Sequence, residues 1–117
     1  MGYLGAVVLP IIPGQEERVR NFAQEVAQHQ EEWERLNREA GGWTQFAVFL
    51  QETPMGNFAI QTWEVEDPSS VRQSFGTSPY DSWYQDYLRD VHGVDLRNWP
   101  ADQPPPTPPP MVFEWRA

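Results

Sequence analysis

The sequence predicts one α+β domain over residues 1–117, its elements ordered strand, helix, strand, strand, helix, strand, with the second helical element split in two. Three observations predict it. An opening apolar run stops at Pro13-Gly14, a long stretch then repeats apolar residues three and four apart, and two strand-like runs follow across a short turn.

The opening run YLGAVVLPII is β-branched and apolar on both faces, as a buried central strand would be, and its Pro-Gly end is a turn signal. From Gln15 to Ala40 the apolar positions Val19, Phe22, Val26, Trp33, Leu36 and Ala40 form one stripe, so the spacing predicts a single amphipathic helix. Glu16 and Glu17 suit the positive end of its dipole, and Gly41-Gly42 supplies the stop. WTQFAVFLQE and NFAIQTWEVE then read as a hairpin across Thr53-Pro54-Met55-Gly56. In its first arm Trp43, Gln45, Ala47, Phe49 and Gln51 share one face, and Thr44, Phe46, Val48 and Leu50 the other. Neither face is fully polar. One should meet the helices, and the other would need the sheet of a second subunit, which makes the chain an expected homodimer.

Asp67-Pro68 and Ser78-Pro79 each look like a helix start, with an N-cap followed by Pro at the first helical position. The first of these helices should end at Gly76 and the second at Gly93. The second presents Tyr80, Trp83, Tyr84, Tyr87, Leu88 and Val91 on one side and Asp81, Ser82, Gln85, Asp86, Arg89 and Asp90 on the solvated side. Residues 98–110 hold PADQPPPTPPP, which lacks the N–H groups of a ladder and should run as a polyproline strap. MVFEWRA alternates, so the chain is expected to close with a last strand.

Composition narrows the function. Hydrophobic residues are 39% of the chain and mean hydropathy is -0.65, yet six Trp, six Phe and four Tyr are present. Each ring can bury roughly 150–250 Å², so a few of them must fill much of the core. The net charge of -9 opposes a phosphate backbone, so no nucleic-acid partner is expected. All eight basic residues are Arg, which excludes a Schiff-base lysine and a Walker-A loop. With no Cys there is no disulfide, thiolate nucleophile or iron–sulfur ligation. Met1 leads into an apolar run too short to cross a bilayer and without a charged leader, so the expectation is a cytoplasmic chain with no membrane partner.

The element order resembles the ferredoxin-like fold and, at this size, the dimeric α+β-barrel superfamily. The stretch SPYDSWYQDYLRDVHGVDL, Ser78 to Leu96, is similar to an uncharacterised bacterial group of that superfamily. The resemblance implies a four-stranded antiparallel sheet, two subunits packed sheet to sheet as a barrel, and a pocket between helices and sheet within each subunit. It also implies a choice of chemistries, among them cofactor-independent quinol monooxygenases, polyketide cyclases, haem enzymes and stress-induced proteins, and fold alone does not choose among them.

His29 falls in the apolar series of the first helix and should point at the sheet. There it serves either as a catalytic base beside Trp33 or as a core histidine held by Gln, Tyr or backbone. Tyr80, Trp83, Tyr84 and Tyr87 either line a ligand cavity or pack as core, and Arg72 is a candidate clamp for an acidic substrate. His92 suits the carbonyl end of its helix, Arg116 should pair with Glu64 or Glu114, and Glu31, Glu32 and Glu34 read as a solvated face. No ligand-spaced metal motif, dinucleotide loop or nucleophile elbow is present, so no cofactor is expected. The functional expectation is a small aromatic or polyketide-like molecule bound between helices and sheet. Its alternatives are a non-catalytic structural or stress-related homodimer, a cofactor-independent monooxygenase or cyclase, and a haem-binding protein using His29 or His92.

Overall fold

A computed structural model describes residues 2–39, 42–66, 83–103 and 109–117. Three strands, β1 (Tyr3–Pro10), β2 (Trp43–Thr53) and β3 (Gly56–Val65), form an antiparallel sheet in the order β1-β3-β2. Among the described residues the helices are α1 (Glu16–Arg20), α2 (Phe22–Gln28), α3 (Gln30–Glu39) and α4 (Trp83–His92).

β3 takes the centre because it pairs on both sides, Leu9 and Leu50 both facing Ala59 and Val7 and Val48 both facing Gln61. Its alternation is sharp: Ala59, Gln61, Trp63 and Val65 are buried, while Phe58, Ile60, Thr62 and Glu64 are only partly covered. The buried set points at the helices, where Leu9, Ile11, Val19, Phe22, Tyr84, Tyr87, Leu88 and Val91 close the core. Gly5 faces Trp63 across the ladder, and a Cβ there would lie 2.3 Å from the indole Nε1, so the ring rests where only glycine leaves room. The hairpin turns through Pro54-Met55, with Gly56 at φ 127° and the Thr53 hydroxyl bonded to the Gly56 carbonyl.

Three expectations are corrected here. Among the described residues the sheet has three strands and is open, so the four-stranded ferredoxin-like arrangement is not the fold of this chain. Met111–Ala117 forms no strand and is exposed, with Val112 at 94% and Trp115 at 74%. Alternation expresses a preference for extended backbone, but a strand also needs a ladder partner, and this segment has none among the described residues. The single long helix is three helices, broken at Asn21 (φ -95°, ψ 17°) and His29 (φ -124°, ψ 38°). Both residue types are mediocre helix formers, and Trp33 N–H resumes the ladder by bonding to His29 O at 3.0 Å.

The helix starting at Asp67 and the Ser78-Pro79 start lie outside the described residues, as do 104–108 of the polyproline strap. The end of α4 is as expected, with Gly93 at φ 72° and Val94 N–H bonded to Leu88 O. Gln85 is not solvated but buried, its amide oxygen accepting from Arg97 Nε. Among the described residues no helix is long and apolar enough to cross a membrane.

Candidate functional site

The ring stripe of α4 forms core. Trp83, Tyr84 and Tyr87 are all buried, and the Tyr84 hydroxyl donates to Gln61 Oε1 at 2.5 Å. Burial pushes both tyrosine pKa values up, so these phenols stay protonated. Phe22 joins the layer, 5.2 Å from Tyr87 and 5.6 Å from Trp33 between ring centres. Tyr80 and Arg72 lie outside the described residues.

His29 sits at the break between α2 and α3, its side chain 37% exposed. A straight helix would have carried it inward with Val26 and Trp33, but the break turns it sideways, where it lies flat on Trp83. Its Nδ1 is 3.9 Å from Glu32 Oε1. Glu32 is not simply a solvated residue, because its other oxygen accepts from the Trp83 backbone N–H at 2.6 Å and so caps α4 from a neighbouring helix. Glu25 accepts from Trp83 Nε1 at 3.0 Å and from Arg18 at 2.7 and 3.2 Å. Burial would raise the Glu25 pKa, but the hydrogen bonds from Arg18 and Trp83 outweigh it and hold the carboxyl below its usual range. Together these contacts clamp the first turn of α4 onto α1, α2 and α3.

His92 ends α4 as expected, but it is buried at 3% exposure, with Nδ1 2.8 Å from Pro10 O. Burial lowers its pKa, so it is neutral at pH 7 and donates from Nδ1. Arg116 meets both of its expected partners, Glu114 and Glu64, and also donates to Gly2 O at 3.2 Å.

A concave surface lies elsewhere. A groove of about 570 Å³ runs between the first three helices and β2, within the range of small-molecule sites. Val19, Phe22 and Val26 form its helical wall, Trp33 and Asn37 its end on α3, and Trp43, Phe46 and Val48 its wall on β2. Of the expected site residues that are described, it contains Trp33 alone. A register shift between Trp43 and Gln45 decides the β2 wall: strict alternation would put Trp43 with Phe49, but the bulge brings it 4.8 Å from Phe46 and 5.0 Å from Trp33 between ring centres. Asn37 Oδ1 accepts from the Trp43 backbone N–H, holding the strand entry against α3. Asn37 follows Trp33 by four positions and so shares its helical row, a signal present in the sequence.

Among the described residues Arg20 is the one charged residue of the lining. It donates to Glu17 and, at 2.5 Å, to Glu52, and the hydrogen bond to Glu17 is the main cause of its raised pKa. The rest of the polar lining among the described residues is Asn37, Thr44 and Gln45. Trp43 Nε1 is buried without a hydrogen-bond partner among the described residues. Among those residues no cluster of three or more histidine, aspartate or glutamate side chains is placed to hold a metal ion. This arrangement can enclose a flat apolar molecule and offer it amide and hydroxyl partners. Comparison with protein-family models, curated proteins and solved structures returned no match.

Proposed function

We propose that this chain is a binding domain for a small aromatic or polyketide-like molecule, held in the groove between α1–α3 and β2. The observation that carries the reading is the wall formed by Phe22, Trp33, Trp43 and Phe46, rings from three elements converging on one concave surface. Among the described residues the lining contains no imidazole, carboxylate or tyrosine hydroxyl, which favours binding over turnover. Ala23 is exposed and lines the groove, so Ala23→Trp fills the space without touching the core. Titration calorimetry with a panel of bicyclic and tricyclic aromatics should detect binding to the native chain and none to the variant. Failure of every compound to bind, or equal binding to both proteins, overturns the reading.

We propose also that two copies associate through the open face of the sheet, where Leu4, Val8 and Phe49 are 43%, 57% and 55% exposed. From strand rise and spacing that face measures on the order of 400 Å² per copy, short of the roughly 800 Å² per partner of a stable interface. The exposed Val112, Phe113 and Trp115 are the nearest source of the remainder, since Arg116 holds their segment at the Gly2 and Glu64 corner of the sheet. Light scattering should give twice the chain mass of 13.6 kDa, and removal of residues 111–117 should return the monomer. A monomeric native chain contradicts the association.

A further inference from the structure

The groove has an electrostatic sign. Arg20 is bound to two carboxylates, Glu17 and Glu52, so that end of the groove carries one positive and two negative charges. An anionic ligand reaching Arg20 must displace one carboxylate and still lie beside the other, within a chain of net charge -9. A cation meets the opposite situation. The two glutamates outnumber the guanidinium, Asn37 and Gln45 supply carbonyl oxygens, and Trp33, Trp43 and Phe46 supply ring faces suited to a positive charge.

We infer that the groove selects cationic aromatic molecules, flat ring systems bearing a positive charge, over anionic ones of the same size. The inference rests on the binding role proposed above and adds the charge of the ligand. Glu17 and Glu52 are specificity residues in it, acting through the field they set around Arg20. Both are well exposed, with side chains at 73% and 59%, so neutralising them leaves the core intact.

Fluorescence titration of the full chain with the cationic dye thioflavin T and the anionic dye 1-anilinonaphthalene-8-sulfonate tests this. At low salt the cationic dye should bind about tenfold more tightly, and the gap should narrow as salt screens the field. Glu17→Gln with Glu52→Gln should narrow it as well, Arg20→Gln should widen it, and Ala23→Trp should abolish binding of the cationic dye. Equal or tighter binding of the anionic dye overturns the inference, as does cationic binding that survives Ala23→Trp or ignores the glutamate substitutions. If neutral aromatics bind while the dyes show no charge preference, only this inference falls. If nothing binds in the groove, the binding role falls with it.

Discussion

The imidazole of His29 lies on the indole of Trp83 with ring centres 5.2 Å apart and planes 3° from parallel. The stack covers Trp83 at the point where two carboxylates take its N–H groups, Glu32 the backbone and Glu25 the indole. Each contact ties α4 to an earlier helix, and each has a measurable share in stability.

His29→Ala removes a ring pair that is only partly shielded from water. It should cost about 0.5–1.5 kcal/mol in urea unfolding, the range of an aromatic contact and well short of a core truncation. A loss above about 3 kcal/mol would mean that His29 is far more deeply engaged than its exposure indicates.

Glu25→Gln weakens charge-assisted bonds to Arg18 and Trp83 and should cost about 1–2 kcal/mol at pH 7. Because the Glu25 pKa is lowered in the folded state, its contribution is present above the ordinary value of 4.5 and is lost as pH falls through the folded value. The native chain and the variant should therefore converge in stability when unfolding is followed into that acid range. A difference that stays constant there contradicts the assignment.

His92 behaves in the opposite chemical sense. Burial depresses its pKa below 6.5, so as pH falls past that value the unfolded chain takes up the proton first and the folded state loses ground. Above 6.5 the group contributes no pH dependence. His92→Gln removes the titration and keeps an N–H donor, so stability measured between about pH 7 and pH 5 should fall less steeply than in the native chain. Identical slopes would show that His92 is not the titrating group.

Tyr84→Phe leaves Gln61 Oε1 buried without its donor and should cost about 1–3 kcal/mol. Gln61 already has an unpartnered Nε2 among the described residues. The double variant with Gln61→Leu removes both ends of the pair and should recover most of the loss. Additive losses in the double variant would show that packing, and not the lost hydrogen bond, sets the cost.

Local pattern was enough to find the three strands, the hairpin turn, the inward stripe of α4 and its glycine stop, because each depends on residues within one turn or one pleat, but β1, expected as a buried central strand, lies at the sheet edge with Leu4 and Val8 exposed. Trp83, Tyr84, Tyr87, Leu88 and Val91 are buried as their spacing requires. The site was less legible. Trp33 was visible as an inward residue, but Trp43 was assigned to the wrong face because a single extra residue reverses every side chain beyond it, and composition does not announce a bulge. His29 was assigned inward by a periodicity that assumes an unbroken helix.

What the amino-acid sequence determined by itself was the type of the strands β1–β3 and of the helices, an acidic chain without Lys or Cys, and a core filled by rings. What only the tertiary structure decided was which rings make a wall and which make a core, whether MVFEWRA finds a ladder partner, and where His29 points. The physical reason is the range of the forces concerned. Helix and strand preferences act over a few residues, whereas a groove exists only where Trp33, Trp43 and Phe22, from different elements, come to one place without filling it.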